Sequence, residues 1–479
     1  MPQLLDPTLA KALAKEKKRF QTTKIPIITV SGSYKEDIKG FYGYPEDETL
    51  PDVVFSRAHY SMALGIAVAA WKTKVDPQKA YVIDPTNFVS ADDWKKIVFT
   101  QFVGELLARK SVLKRLKDLV DRFGRSKLPI LSSIEPPLLQ LSENISKPFL
   151  SLHIAAGNML ASYHKSVLQV ITDPHVREEY LNNAENPHFF YCVFDDATKA
   201  EALEKATYLG KKLDPNRVIV TGPPIDPRIV RARKNKHAWR SGPLRLCITT
   251  GGLGTNAYEI RTILRELLPL MAEKNENTPE LELLVYASTH NDIAKMVTQL
   301  AHEFGVPLQS ITSRTGSVAK SLDKNPAQGK KSQKSGQKFA PLRLIYHPQI
   351  VDANELLIEH GLPWADGFIT KPSGDMAYDA AAAGCFLLTL KEWGEWEHNV
   401  RERFEALSIA RRCEAKEIVQ QLREITSTEQ KSQSWVEQAM NSALSLDAVY
   451  LNGAESIINA YEKMNGIIQE EVEKEASIT

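Results

Sequence analysis

Thr370, Lys371, Ser373, Gly374 and Asp375 bring together the residue types that hold a phosphate. They follow the apolar run Gly367–Ile369, which reads as a strand end, and they precede a small-residue helix closed by Gly384. The first N–H groups of such a helix have no partner inside it and point outward. With the helix dipole they make a seat for an anion. One turn further on, Asp379 is placed to accept from a ribose hydroxyl pair. A second turn of this kind lies upstream. Leu244–Thr250 is an apolar, β-branched run, and Gly251, Gly252, Gly254, Thr255 and Asn256 follow it directly. A helical pattern then runs from Ala257 to Leu268. Strand, glycine turn and helix is the context in which glycine permits close approach of the backbone to an anion. A tight βα turn without a ligand would look the same at either place taken singly; two in one half of the chain favour a nucleotide.

These turns need parallel sheets behind them. Apolar runs predict strands near Ile25–Ser31, Lys79–Asp84, Leu128–Ser132, Phe149–His153, Ser166–Thr172, His188–Phe194 and Arg217–Thr221 in the first half. In the second half they predict strands near Leu244–Thr250, Leu281–Ser288, Leu342–His347, Gly367–Thr370 and Cys385–Leu390. Helical patterns alternate with them, which predicts an α/β fold of two Rossmann-like domains. The expected division is a helical extension over 1–24, a first domain over 25–224, a linker over 225–243, a second domain over 244–414, and C-terminal helices with an acidic tail over 415–479. The boundary is marked by Gly222, Pro223, Pro224 and Pro227. The segment 316–340 is rich in Lys, Ser, Gln and Gly and reads as a disordered loop.

Composition narrows the function. With 60 Lys and Arg against 59 Asp and Glu, the chain lacks the basic excess of a general nucleic-acid binder. Four scattered cysteines show neither metal spacing nor a disulfide framework, which fits a reducing cytoplasm. No run reaches the roughly 20 apolar residues that span a bilayer. Between 106 and 123, apolar residues fall on one helical side and Lys and Arg crowd the other. Such a helix can rest on an anionic membrane, and a core-packed helix with a solvated basic face gives the same pattern.

Several motifs in order resemble the GT-B glycosyltransferases, in particular family 28, the branch of the monogalactosyldiacylglycerol synthases and the lipid II-forming N-acetylglucosaminyltransferase. Thr370, Lys371, Gly374, Asp379 and Gly384 fall in the frame of the family's donor motif, with Asp379 where Glu is usual. Gly394 and Asn399 match the end of that motif, while Glu395 and Trp396 replace its Gln-Glu pair. Val170–His175, Cys192–Asp195, Val218–Ile225 and Gly251–Gly254 resemble further family segments. Ser56–Ala63 aligns with a glycine-rich loop that here keeps only its histidine, His59.

The resemblance implies two domains facing each other across a cleft. It implies an inverting, metal-independent transfer of a hexose or N-acetylhexosamine from a UDP-sugar to a lipid or isoprenoid-linked acceptor. No cofactor beyond the co-substrate is expected, and the setting is cytoplasmic or peripheral on the inner membrane face. His59 is the expected base, with Asp173 in reserve and Arg57 and His175 on the acceptor side. Gly251, Gly252, Gly254, Thr255, Asn256, Lys371, Ser373, Gly374, Asp375 and Asp379 would hold the nucleotide, and Glu397, His398 and Asn399 the sugar. For His398 and Asn399, the alternative reading is a simple helix N-terminal cap. Two other readings share the scaffold: a non-hydrolysing UDP-sugar 2-epimerase, and a nucleotide-sugar binder without activity.

Overall fold

The computed structural model describes residues 7–33, 53–54, 56–90, 93–99, 129–272, 280–312, 340–428 and 432–478. The basic helical pattern at 106–123 and, apart from Ala340, the loop expected over 316–340 lie outside them. The chain forms two compact units. Met1–Asp226 with Val449–Thr479 make the first, and Pro227–Ala448 make the second. Each is an α/β unit built on a parallel sheet, so the two Rossmann-like domains expected from the alternating patterns are present.

In the first unit, α1 (Pro7–Thr22) leads into β1 (Ile25–Ile28), which is buried along its whole length. A short antiparallel pair follows, β2 (Gly32–Ser33) with β3 (Val53–Val54), then α2 (Arg57–Trp71) and β4 (Ala80–Ile83). Next come α3 (Pro129–Ser142), β5 (Phe149–Ser151), α4 (Ile154–Ser162) and β6 (Val167–Val170). β7 (Phe189–Val193), α5 (Asp196–Tyr208) and β8 (Val218–Val220) complete the run. The strands order as β4-β1-β5-β6-β7-β8, all parallel. Such strands are covered on both faces, and this is why they read as unbroken apolar runs.

Of the strand expected over Leu128–Ser132, Leu128 lies outside the described residues and Pro129–Ser132 belong instead to α3. Pro129 sits at the first helical position, where its missing N–H costs nothing. The buried Ile130, Ile134, Leu138 and Leu141 continue at helical spacing, a period that five residues are too few to reveal.

The second unit opens with α6 (Pro227–Arg233), β9 (Leu244–Thr249), α7 (Ala257–Ala272), β10 (Leu281–Ser288) and α8 (Asn291–Glu303). β11 (Leu308–Ile311), β12 (Leu342–Tyr346), α9 (Ile350–Leu356), β13 (Gly367–Thr370) and α10 (Met376–Ala382) follow. β14 (Phe386–Thr389), α11 (Glu395–Ala406), β15 (Ala410–Arg412), α12 (Ile418–Thr426) and α13 (Trp435–Leu444) close it. The sheet runs β11-β12-β10-β9-β13-β14-β15, again all parallel. β11 and β15 were not expected. Both are short edge strands with exposed polar residues, so neither carries an apolar run.

The helical stretch expected as one extension over 415–479 is shared between the units. α12 and α13 pack in the second. The last helix, α14 (Gly453–Ile478), returns to the first and lies on α2. The Tyr461 hydroxyl is 2.8 Å from the Pro148 carbonyl and 3.0 Å from that of Lys24. Where the chain leaves and re-enters the first unit, two glycines let its passages touch. A Cβ on Gly222 (φ +85°) would stand 1.8 Å from the Val449 carbonyl oxygen, and one on Gly453 2.0 Å from that of Pro223. Among the described residues no helix is long and apolar enough to cross a membrane.

Candidate active site

In an open parallel sheet, ligands sit where the strand order reverses, beyond the C-terminal strand ends. In the second unit the reversal falls between β9 and β13. β9 leads to β10 on one side, and the chain later returns to place β13 on the other. The loops leaving these two strands are Gly251–Asn256 and Lys371–Asp375, the two turns singled out from sequence. The hydroxyls of Thr249 and Thr370, 2.6 Å apart, tie the strand ends together. The Gly251 turn is closed by the Gly254 N–H donating to the Gly251 carbonyl at 2.8 Å. Gly254 has φ +65°, a conformation that costs glycine nothing and a side chain about 1–2 kcal/mol. Lys371 runs across this turn, its Cδ 3.3 Å from where a Gly251 Cβ would stand.

Further contacts lace the rim. Asn256 Nδ2 donates to Glu259 and lies 3.4 Å from the Lys391 carbonyl oxygen, while the Lys391 N–H is 3.3 Å from Glu259 Oε1. Ser373 Oγ is 2.6 Å from Asp375 Oδ1 and 3.3 Å from the Met376 N–H. Gly374 is buried in the same turn. Thr255 Oγ1 is 3.0 Å from Asn256 Oδ1. Asp379 sits one turn into α10 and is buried with that whole helix. Glu397, in the first turn of α11, places Oε1 2.5 Å from Lys371 Nζ, so it ties α11 to the turn after β13. His398 points elsewhere. It is exposed and bonds Glu402 at 2.9 Å and Arg401 at 2.9 Å, which keeps it on its own helix. Asn399 is the next residue along α11.

The sequence reading missed His290, just past β10, whose Nε2 lies 3.1 Å from the Gly252 carbonyl oxygen and braces the glycine turn. A polar residue just after a predicted parallel strand was the signal available for it.

The first unit reverses strand order between β1 and β5. His59, in the first turn of α2, and His153, capping α4 after β5, meet there with rings 5.3 Å apart, edge to face. The Ser56 side chain accepts from the His59 N–H at 3.3 Å and starts the helix. His59 Nδ1 donates to the Val30 carbonyl at 3.3 Å, which leaves Nε2 as the basic nitrogen. Burial, and then the neighbouring His59 and Arg177, hold His153 well below the usual imidazole range, so it stays neutral. Among the described residues its shielded Nδ1 has no hydrogen-bond partner. Arg57 is buried at the first position of α2. Asp173 and His175 lie one strand over, beyond β6. His175 is engaged by Glu201 at 3.1 Å, and Asp173 faces Arg177 at 3.9 Å.

Asp84, at the end of β4, organises the loop after β1. Its carboxylate accepts from Ser31 N–H (2.7 Å), Gly32 N–H (3.1 Å), Thr86 N–H (3.0 Å) and the Thr86 hydroxyl (2.6 Å). Burial pushes its pKa up to about 6, against the pull of these four donors. Between the ordinary aspartate value and about 6 the native state therefore holds a proton that the unfolded chain has released, and stability falls as pH rises through that window. An Asp84→Asn variant has no such titration. The stability of the wild type relative to this variant should fall between pH 4 and pH 6 in chemical denaturation; a flat difference would contradict the assignment.

No protein-family model matches the chain, and no curated protein does. Among solved structures it is similar to S. aureus MnaA with UDP, at 12% identity and TM-score 0.46, covering 84% of this chain and 93% of that one. It is similar to Medicago truncatula UGT71G1 complexed with UDP-glucose, at 10% identity and TM-score 0.44, covering 92% and 99%. It is also similar to the glycosyltransferase VinC in complex with DTDP, at 12% identity and TM-score 0.41, covering 85% and 98%. Likenesses this distant determine no function. The class that fold and site define is a pair of Rossmann-like units, the second with two glycine-containing turns at its switch point.

Proposed function

We propose that this chain is a glycosyltransferase that moves a hexose or N-acetylhexosamine from a UDP-sugar to a lipid or isoprenoid-linked acceptor, with inversion and without a metal. One observation carries the nucleotide half of this reading. The two turns picked out for phosphate chemistry, over a hundred residues apart in sequence, leave neighbouring parallel strands at the reversal of strand order. Their backbone N–H groups and Lys371 supply the donors and the positive charge that a diphosphate needs as a leaving group. Asp379 accepts from the ribose.

In the transfer, His59 Nε2 takes the proton of the acceptor hydroxyl. The freed oxygen bonds to the anomeric carbon, the bond from that carbon to the diphosphate breaks, and the diphosphate keeps the electron pair. The lysines and arginines between 106 and 127 suit an anionic membrane, hence a cytoplasmic, peripheral setting. The test is calorimetric titration with UDP, followed by UDP release from UDP-sugars with and without a lipid acceptor. Binding together with acceptor-dependent release is expected. Absence of UDP binding overturns the reading; binding without turnover leaves a nucleotide-sugar binder. Epimerisation at C2 without an acceptor makes the protein an epimerase.

A further inference from the structure

The lysine of the phosphate seat already has an anionic partner. Lys371 Nζ is 2.5 Å from Glu397 Oε1, and their side chains are 14% and 2% exposed. Glu397 Oε2 accepts from the Trp393 N–H at 2.6 Å, so the carboxylate is fixed from its other side. The stem of Lys371 lies over Gly251. One ammonium therefore connects the turns after β9 and β13 with the start of α11. A carboxylate and a phosphate offer an ammonium the same kind of contact, a charged oxygen, and both compete for its few N–H donors.

We propose that Glu397 is an internal competitor for the diphosphate: Lys371 exchanges the carboxylate for a phosphate oxygen when the nucleotide binds and returns to it when UDP leaves. The proposal rests on the nucleotide reading above. It gives Glu397 a task other than the sugar contact expected from sequence, one that lowers affinity for the spent diphosphate and speeds its release. UMP, with a single phosphate seated on backbone amides, does not need the exchange.

The experiment is calorimetric titration of the full chain with UDP, UMP and UDP-glucose, for wild type, Glu397→Gln, Lys371→Met and the double variant. Glutamine keeps an acceptor for the Trp393 N–H but carries no charge. Glu397→Gln should tighten UDP about tenfold or more, change UMP by less than about twofold, and slow UDP dissociation in stopped flow. In the Lys371→Met background the same change should have no effect on UDP, as a double-mutant cycle requires of a coupled pair. Should Glu397→Gln fail to fold, Glu397→Asp, which draws the carboxylate back, should tighten UDP to a smaller extent.

Unchanged or weaker UDP binding in Glu397→Gln overturns the proposal, as does an equal gain for UMP, which would be a general charge effect. UDP-glucose weakened with UDP unchanged would make Glu397 a sugar contact and also overturn it. If the wild type binds neither UDP nor UMP, the nucleotide reading itself has failed, and this proposal with it.

Discussion

Replacing His59 with alanine should slow sugar transfer about 10²–10⁴-fold, the range for loss of a general base, and leave UDP affinity unchanged. The separation of the two effects follows from placement. The proposed phosphate turns lie wholly within the second unit, and His59 lies in the first. Its tautomer is set by the bond from Nδ1 to the Val30 carbonyl, which leaves Nε2 to take a proton. The adjoining His153 stays neutral through burial and so places no positive charge beside His59. Steady-state UDP release with acceptor, beside titration with UDP, checks both halves. Turnover within about twofold of wild type would remove His59 from the chemistry, and an Asp173→Asn variant would then be the next to assay.

Glu355→Ala should destabilise the second unit by about 3–5 kcal/mol, the cost of leaving a buried charge without its partner. Arg228 and Glu355 form two parallel bonds of 2.7 and 2.8 Å with side chains 5% and 4% exposed. They join α6, the first helix of the unit, to α9 near the end of β12. Because each charge needs the other, the paired change Arg228→Met with Glu355→Leu should recover most of the loss. Urea denaturation followed on the transition of the second unit measures both. A loss below about 1 kcal/mol for the single variant would mean that water or another anion reaches the guanidinium.

The central strands of both sheets were legible because they are apolar on both faces, as in β7 and β9. Their spatial order was not. Nothing in the local pattern says that β13 lies beside β9, yet that neighbourhood brings the glycine turns together. Edge strands such as β15 escaped because exposed arginines replace the apolar period. The phosphate turns were visible through glycine and small polar residues, whose spacing is set locally by the backbone. His153 and His290 were not singled out, although each stands at or just after a predicted strand end, since a lone histidine carries no pattern. The Lys371–Glu397 pair was equally hidden, because tertiary packing, and no helical or turn spacing, joins residues 26 positions apart.

α14 gives the first unit a split origin: its final piece is synthesised only after the whole second unit has been made. A nascent chain that has emerged as far as Asp226 still lacks α14, which packs on α2 in the finished protein. The second unit is therefore an insertion that can mature on the ribosome while its host waits. Excising residues 1–226 for separate production should yield an aggregating fragment, whereas a circular permutant that fuses 449–479 ahead of residue 7 restores the missing layer.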